Sequence, residues 1–220
     1  MNARIIEVSD VLLFVAMKRF LVPLMLMSAV LTSIAEDKPK LETAVIGGGC
    51  FWCTEGVYLI VPGVEKVVSG YTGGHTENPT YKDITTGTTG HAEVIKIDYD
   101  PAKISYKELI DFFWYAHDPT TLNRQGNDVG TQYRSVIYYL NDEQKKIAEA
   151  SMAEANKEYD NRIVTELSPL GKFYVAEEYH QDFANKNPNQ GYVCAVVKPK
   201  VEKFKKKLAE FQAKREKVLP

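Results

Sequence analysis

Three consecutive glycines, Gly47 to Gly49, separate a short apolar run from Cys50. The run "LETAVI" before them predicts a buried strand, because a short apolar segment that ends in glycine is typical of one. The residues after it, "CFWCTEGVYLI", predict a short helix that opens at Cys50. The chain must therefore pass from strand to helix over a glycine turn, and this turn presents one thiol at the N-terminus of the helix.

The rest of the chain reads as further strands and helices, without a repeat, a low-complexity tract or an interdomain linker after residue 40. Strands are predicted in "VEKVVSGYTGG", "HAEVIKIDYD", "YRSVIYYL" and "IVTELSPLGKFYVAE". Ser105 and Glu108 form a capping box before one helix, and Asn141 and Gln144 open another that runs to about Tyr159. At least one strand pair lacks an intervening helix, so we predict an α+β fold: a two-layer sandwich with helices on one face of a mixed sheet.

Two polar segments, residues 69–90 and 118–132, interrupt this pattern and are rich in Gly, Asn and Thr. Loops that long in a compact domain are usually functional or disordered, and both segments carry aromatic and ionisable side chains, which favours function. Near the C-terminus, Phe204, Leu208 and Phe211 fall on one stripe with lysines around it. This stripe predicts a basic helix that docks through its apolar side.

The N-terminal 35 residues differ from the rest of the chain. Lys18 and Arg19 precede an apolar run that ends in small residues just before a charged stretch. This pattern predicts a secretory signal over residues 1–35, with Met17 as a candidate true start, and a single domain over residues 36–220. The apolar run is shorter than the roughly 20 residues that span a bilayer. We therefore predict export, to the periplasm of a Gram-negative source, without stable membrane insertion after signal removal; an uncleaved N-terminal membrane anchor is the alternative.

The three cysteines, Cys50, Cys53 and Cys194, all follow the predicted signal. An odd number in an oxidising compartment leaves at least one thiol without an internal partner, which indicates redox chemistry more than a structural disulfide. A zinc site would need two more ligands beside Cys50 and Cys53, and neither Cys194 nor the four histidines offer a second pair at familiar spacing. We expect no metal, and a formal net charge of −2 gives no electrostatic case for nucleic acid.

Cys50 and Glu93 are the two residues whose positions predict chemistry. A catalytic thiol acts as thiolate, and the N-H groups and partial positive charge of a helix N-terminus would lower the pKa of Cys50. The alternative is a small buried hydrophobe beside a tight turn. Glu93 shares a strand face with Ile95 and Ile97, because alternate residues point the same way. If that face is buried, the carboxyl pKa rises and Glu93 can serve as a proton donor; a glutamate in solvent at a strand end is the alternative.

Eight segments together resemble the peptide methionine sulfoxide reductases of the A class. In chain order they are "GCFWCTEG", "GYTGG", "NPTY", "TGHAEV", "HDPTT", "RQGNDVGTQYRS", "EEYHQDF" and "NPNQGYVC", and they span about Thr43 to Lys200. The resemblance implies a ferredoxin-like α+β sandwich that reduces the S epimer of methionine sulfoxide, free or in proteins, and so repairs oxidative damage. It also implies a monomer that uses no metal or organic cofactor and takes electrons from a thioredoxin-like dithiol.

The resemblance also implies roles for five polar residues. Cys50 matches the nucleophile that attacks the sulfoxide sulfur, and Glu93 matches the acid that protonates the sulfoxide oxygen. Tyr81 and Tyr133 match the tyrosines that hydrogen-bond this oxygen. Asp128 matches a carboxylate that positions the substrate.

The neighbouring aromatics and the second thiol follow from the same resemblance. Phe51 and Trp52 match the apolar wall that receives the S-methyl group. Cys50 is then left as a sulfenic acid, which a second thiol condenses into a disulfide. Family members often place this resolving cysteine in a glycine-rich C-terminal segment, so we favour Cys194, in a mobile tail. Cys53 is the alternative, although a pair three residues apart on one helix can need local unwinding to reach disulfide geometry.

Two other functions are compatible with part of this pattern. A thiol-disulfide oxidoreductase could use Cys50 and Cys53 as its redox pair. Its substrate, however, has no oxygen for Glu93 to protonate or for the two tyrosines to hydrogen-bond. A secreted module that binds methionine sulfoxide without turnover would carry the same residues as a vestigial site. For an exported reductase of bacterial origin, we expect the electron donor to be a thioredoxin-fold partner that is itself reduced across the membrane.

Overall fold

A six-stranded mixed sheet forms the centre of the fold in the computed structural model, which describes residues 40–216. The strands in chain order are β1 (Glu42–Gly48), β2 (Val64–Thr72), β3 (Ala92–Tyr99), β4 (Arg124–Gln125), β5 (Asp128–Val129), β6 (Ser135–Tyr139), β7 (Glu166–Pro169) and β8 (Tyr174–Val175). Strands β4 and β5 form a separate ribbon, and the order across the main sheet is β7-β6-β1-β3-β2-β8. Strands β6 and β7 pair in parallel, and the other neighbours pair antiparallel.

Six α-helices accompany the sheet in the described part of the chain. They are α1 (Phe51–Tyr58), α2 (Tyr81–Thr85), α3 (Tyr106–Ala116), α4 (Asp142–Glu158), α5 (Phe183–Lys186) and α6 (Lys198–Glu216). A π-helical turn, Val193–Val197, leads into α6. The predicted helix starts are confirmed: Ser105 and Glu108 form a capping box at α3, and the Asn141 side chain accepts a hydrogen bond from the Gln144 N-H at α4.

The two faces of the sheet are covered differently. Ile46, Ile95 and Ile97 pack in one cluster with residues of the helices, among them Val57, Leu109, Ala148 and Phe204. The opposite face carries a smaller cluster covered by the segment between β7 and β8. Its members are Val45, Ala92, Val94, Val136 and Tyr138, with Leu170 and Phe173 against them. The helices therefore lie on one face, and the predicted α+β sandwich is confirmed.

The two polar segments contain more regular structure than the sequence indicated. Strand β2 continues to Thr72, inside the segment 69–90, which confirms the strand predicted in "VEKVVSGYTGG"; its polar and glycine residues pair with β3 and are buried. Helix α2 lies in the same segment and begins at a capping box of Thr80 with Asp83. The segment 118–132 holds the β4–β5 ribbon and ends in a 3-10 turn. Short elements such as these have too few residues to show a periodicity.

The C-terminal helix docks as predicted. Phe204 and Leu208 are buried, and the ring of Phe112 packs at 5.6 Å from Phe204 and 4.8 Å from Phe211. Within residues 40–216, no helix has the length and apolar character needed to cross a membrane. The predicted signal over residues 1–35 and the candidate start at Met17 lie outside the described residues.

Candidate active site

The glycine turn positions Cys50 because no larger residues fit there. A Cβ atom on Gly47 would lie 2.6 Å from the Glu93 carbonyl oxygen, and one on Gly49 would lie 2.6 Å from side-chain carbons of Gln125. Gly49 also has φ of +92°, a conformation that side chains disfavour. The chain thus turns sharply after β1 and places Cys50 as the N-cap of α1, largely buried.

Glu93 lies beside this turn with its carboxyl buried. The residue is 1% exposed, and the Phe51 N-H donates a 3.1 Å hydrogen bond to its Oε2 atom. Burial raises the pKa of Glu93 to about 8, with support from the charge of Asp128 and against the lowering effect of the Phe51 N-H. The alternative of a solvent-exposed glutamate is therefore wrong. Near neutral pH this carboxyl holds a proton that it can donate.

Cys53 lies in the first turn of α1, three residues after Cys50, and each thiol shifts the pKa of the other. The hydrogen bond to Cys53, burial and the charge of Glu93 raise the pKa of Cys50 well above its usual range, and the Trp52 N-H opposes them. The Trp52 N-H at the helix N-terminus does lower this pKa, as predicted, but Cys53, burial and Glu93 outweigh it, so the predicted net lowering is wrong for the resting protein. The hydrogen bond with Cys50, followed by the charge of Lys200, lowers the pKa of Cys53 although burial opposes them.

Two tyrosines from other segments, Tyr81 and Tyr133, lie close enough to Cys50 and Glu93 for those groups to affect their pKa values. Burial, then the charges of Glu93 and Cys50, raise the pKa of Tyr81 to about 12. Burial, then Glu93, Tyr81 and Cys50, raise the pKa of Tyr133 as well. Both hydroxyls therefore stay protonated at neutral pH and are available as hydrogen-bond donors beside Cys50 and Glu93.

Phe51 and Trp52 form an apolar wall that follows Cys50 on α1. The Phe51 ring is buried against His180, with centroids 4.9 Å apart. Trp52 stacks on Phe183 at 3.7 Å with an interplanar angle of 5°, and its indole N-H donates to His180 Nδ1 at 3.1 Å. These contacts fix the plane of the indole, and Trp52 stays partly accessible.

Sequence reasoning missed the residues that hold the segment "EEYHQDF" against β2, α1 and α2. Glu177 accepts hydrogen bonds from the Tyr71 hydroxyl at 2.9 Å and from the Tyr81 N-H at 2.7 Å. Buried Glu55 accepts the Asp182 N-H at 2.9 Å. The available signal was the concentration of polar residues within one short motif, which showed that the segment mattered but not which atoms it bonds.

Asp128 reaches the thiols through Tyr192, another residue to which the sequence assigned no role. The Tyr192 hydroxyl donates to Asp128 Oδ2 at 2.6 Å and lies 3.9 Å from Cys53 Sγ. Cys194, two residues later, is exposed, and its thiol donates to the Pro188 carbonyl at 3.4 Å. It belongs to the π-helical turn before α6 rather than to the expected mobile tail. All three cysteines are free.

The site as a whole joins a buried acid, two tyrosine hydroxyls and an apolar wall around one thiol, with a second thiol in contact. Such a set can bind a small molecule that has an apolar group beside a polar oxygen, and it can deliver a proton to that oxygen. Among residues 40–216 there is no group of three or more His, Cys, Asp or Glu side chains arranged to hold a metal ion.

Comparison with known proteins matches this description. The family described as peptide methionine sulfoxide reductase matches residues 42–213. Peptide methionine sulfoxide reductase MsrA of Saccharolobus solfataricus is 57% identical over 166 residues, which cover 76% of this chain and 94% of that protein. MsrA of Leptospira borgpetersenii is 52% identical over 176 residues, which cover 80% and 99%.

The fold is also similar to two solved structures. Reduced Mxr1 from Saccharomyces cerevisiae superposes with a TM-score of 0.66 at 37% identity, over 68% of this chain and 87% of that one. Methionine sulfoxide reductase A of Corynebacterium diphtheriae superposes with a TM-score of 0.64 at 40% identity, over 70% and 78%.

Proposed function

The chain belongs to the peptide methionine sulfoxide reductase family, and we propose that it reduces the S epimer of methionine sulfoxide, free or in proteins, with Cys50 as nucleophile and Glu93 as acid. It is a methionine sulfoxide reductase, an oxidoreductase that repairs oxidised methionine. The observation that carries the proposed mechanism is the buried Glu93 carboxyl, held by the Phe51 N-H directly after Cys50.

The first step joins nucleophilic attack to proton delivery. Oxide is a poor leaving group from sulfur, so attack by the Cys50 thiolate requires a proton on the sulfoxide oxygen as the sulfur reacts. Glu93 supplies this proton, and the hydroxyls of Tyr81 and Tyr133 donate hydrogen bonds to the same oxygen. Methionine leaves with two more electrons, and Cys50 keeps the oxygen as a sulfenic acid.

Resting Cys50 is protonated, so the reacting thiolate forms in the complex. The negative charge of ionised Glu93 is one of the causes that raise the pKa of Cys50. A proton on Glu93 removes that charge. Protonation of Glu93 therefore prepares it to donate a proton and also makes ionisation of the Cys50 thiol less costly.

The apolar wall supports selection of one epimer. Phe51 and Trp52 receive the methyl group on one side of the sulfur, while Glu93 and the tyrosines receive the oxygen on another. When the positions of the methyl group, the oxygen and the attacking Cys50 sulfur are fixed, the remaining substituent on the substrate sulfur can point in one direction. The site is therefore expected to accept one configuration at sulfur.

Separate assays of the two epimers test this proposal. With dithiothreitol as reductant, we expect the enzyme to convert N-acetyl-methionine-S-sulfoxide to N-acetyl-methionine and to leave the R epimer almost unchanged, as chiral chromatography would show. Equal rates for both epimers would contradict the role of the wall. Failure to convert either epimer would contradict the reductase activity itself.

For the second step we propose that Cys53 condenses with the sulfenic acid. Cys53 lies in the first turn of α1, three residues after Cys50. The interaction with Cys50 lowers the pKa of Cys53, and the charge of Lys200 and the Tyr192 hydroxyl, which remain after Cys50 is oxidised, lower it further and favour the thiolate. Cys194, favoured from the sequence, is exposed and bonded to Pro188. The local unwinding that a disulfide between Cys50 and Cys53 needs would occur in the first turn of α1, next to the glycines.

Cys194 then carries the disulfide to the surface by thiol-disulfide exchange, because the sulfurs of Cys50 and Cys53 are buried.

Serine variants distinguish the two resolving thiols. After one equivalent of substrate, we expect Cys194→Ser to lose two thiols and to yield a peptide that links Cys50 to Cys53. Cys53→Ser should instead accumulate a sulfenic acid that dimedone traps, as peptide mass spectrometry would detect. If Cys53→Ser forms a Cys50–Cys194 disulfide at the wild-type rate and Cys194→Ser stalls, Cys194 is the first resolver.

Repeated turnover requires an external dithiol to reduce the final disulfide. We propose a thioredoxin-like protein in this role. The basic and apolar pattern of residues 1–35 supports export, and an exported enzyme would need a thioredoxin-fold donor on the same side of the membrane. A purified exported donor of this fold should reduce the oxidised enzyme stoichiometrically; failure of every such donor would contradict the proposal.

A further inference from the structure

We propose that Tyr192 and Asp128 form a proton relay that accepts the proton of Cys53 while Cys53 condenses with oxidised Cys50. This inference rests on the proposed function and on Cys53 as the resolving thiol. It gives Asp128 a second task beyond the substrate positioning that the family resemblance implies. It also gives Tyr192 a specific part in the reaction.

The distances define the direction of the relay. The Tyr192 hydroxyl lies 2.6 Å from Asp128 Oδ2 and 3.9 Å from Cys53 Sγ. The hydroxyl has one hydrogen, and the short contact with the carboxylate directs this hydrogen to Asp128. The Tyr192 oxygen then presents its lone pairs to Cys53, whose S-H can donate to it.

Burial explains why Cys53 needs such an acceptor. Cys53 is 2% exposed, so bulk water cannot take its proton directly. The ionisable groups that act on it are Cys50 on α1, Glu93 on β3, Asp128 on β5, Tyr192 before the π-helical turn and Lys200 on α6. Among these, the Tyr192 hydroxyl lies 3.9 Å from the Cys53 sulfur and hydrogen-bonds the Asp128 carboxylate, which can accept a proton. The ring of Tyr192 also packs edge-on against Trp52, with centroids 5.9 Å apart, which fixes its position.

The proposed step balances without a further reagent. Cys53 passes its proton to the Tyr192 oxygen as Tyr192 passes its own to Asp128. The Cys53 sulfur attacks the Cys50 sulfur, so that an S-S bond forms and the S-O bond of the sulfenic acid breaks. Hydroxide leaves and takes the proton from Asp128, which regenerates the carboxylate and yields one water. Cys53 is oxidised and Cys50 is reduced from the sulfenic state to the disulfide.

Tyr192→Phe tests the relay, because it removes the hydroxyl and keeps the ring against Trp52. The variant is made in a Cys194→Ser background, so that Cys53 is the available partner for oxidised Cys50. After one equivalent of N-acetyl-methionine-S-sulfoxide, we expect one equivalent of methionine product. Quenched-flow trapping with dimedone should show a sulfenic acid that persists at least about tenfold longer than in the background at neutral pH.

The pH dependence separates a relay from a packing role. Below the pKa of Cys53 the thiol must lose its proton to react, and above it the thiolate already exists. The slowing caused by Tyr192→Phe should therefore diminish as the pH rises through that pKa. A loss of packing alone would slow the step by the same factor at every pH.

Tyr58→Phe is the matched control. Tyr58 lies on the same helix as Cys53, is fully buried, and donates its hydroxyl to the Leu109 carbonyl at 2.8 Å, away from the thiols. We expect its sulfenic acid lifetime to equal that of the background. An unchanged lifetime in Tyr192→Phe, equal slowing at all pH values, or equal slowing in Tyr58→Phe would overturn the relay. Absence of methionine in the background protein would instead contradict the proposed function.

Discussion

Cys50→Ser should abolish methionine formation and leave the protein folded. Serine is close to cysteine in size, but its hydroxyl has far too high a pKa to act as the nucleophile in place of a thiolate. We expect the single-turnover rate to fall by roughly 10⁴-fold or more, to the limit of detection, in line with removal of other enzymic nucleophiles. Chromatographic measurement of methionine per enzyme checks this directly.

The structure predicts that this variant keeps its stability. Cys50 is the N-cap of α1 and its side chain makes no capping hydrogen bond, whereas serine is among the preferred N-cap residues. The urea midpoint should therefore equal or exceed that of the wild type. Methionine formation at a tenth of the wild-type rate or more in a folded Cys50→Ser protein would show that Cys50 is not the nucleophile.

Glu93→Gln should cause the second large decrease in the rate of methionine formation. The glutamine oxygen can still accept the Phe51 N-H, so the turn after Cys50 should keep its shape. The amide cannot transfer a proton to the sulfoxide oxygen, so we expect the single-turnover rate to fall by about 10² to 10⁴-fold. A fall of less than about threefold would contradict the assignment of Glu93 as the acid.

The pH dependence of this loss follows from the raised pKa. Glu93 has a pKa of about 8, so its carboxyl is protonated below that pH and ionised above it. The ratio of wild-type to Glu93→Gln rates should be constant below about pH 8 and should fall by about tenfold for each further unit. A ratio that is flat from pH 6 to pH 10 would show that proton donation by this carboxyl is not part of the step.

A stability measurement serves as the control for Glu93→Gln. Glu93 has a higher pKa in the folded protein, about 8, than in the unfolded chain, so its protonated form favours folding at low pH. This stabilisation is lost as the pH rises from the pKa of the unfolded chain through about 8, because the buried carboxyl must then ionise. Glutamine carries no charge to bury. Above pH 8 the variant should therefore unfold at no lower urea concentration than the wild type, which separates lost chemistry from lost structure.

The sequence predicted those features that depend on neighbours in the chain. The turn before Cys50, the capping residues Ser105 and Asn141, and the strand that carries Glu93 all follow from local pattern, and the structure confirms them. Alternation along β3 also predicted that Glu93 shares its face with Ile95, so the raised pKa of the carboxyl followed once that face proved to be buried.

Features that depend on distant segments could not be predicted. The net direction of the Cys50 pKa shift depends on Cys53, burial and Glu93, which outweigh the lowering effect of the helix N-terminus that the sequence predicted. The contact of Tyr192 with Cys53 joins residues 139 positions apart, and the bond from Trp52 to His180 spans 128. A single sequence carries no periodic signal for such contacts.

The first experiment is single-turnover reduction of N-acetyl-methionine-S-sulfoxide by the prereduced protein, with thiol counting and peptide mass spectrometry, because it tests both the reductase activity and the resolving thiol. We expect one methionine product per enzyme and the loss of two thiols, and in the Cys194→Ser protein a peptide that links Cys50 to Cys53. No product with all three thiols still free would contradict this expectation, and would favour a protein that binds methionine sulfoxide without reducing it.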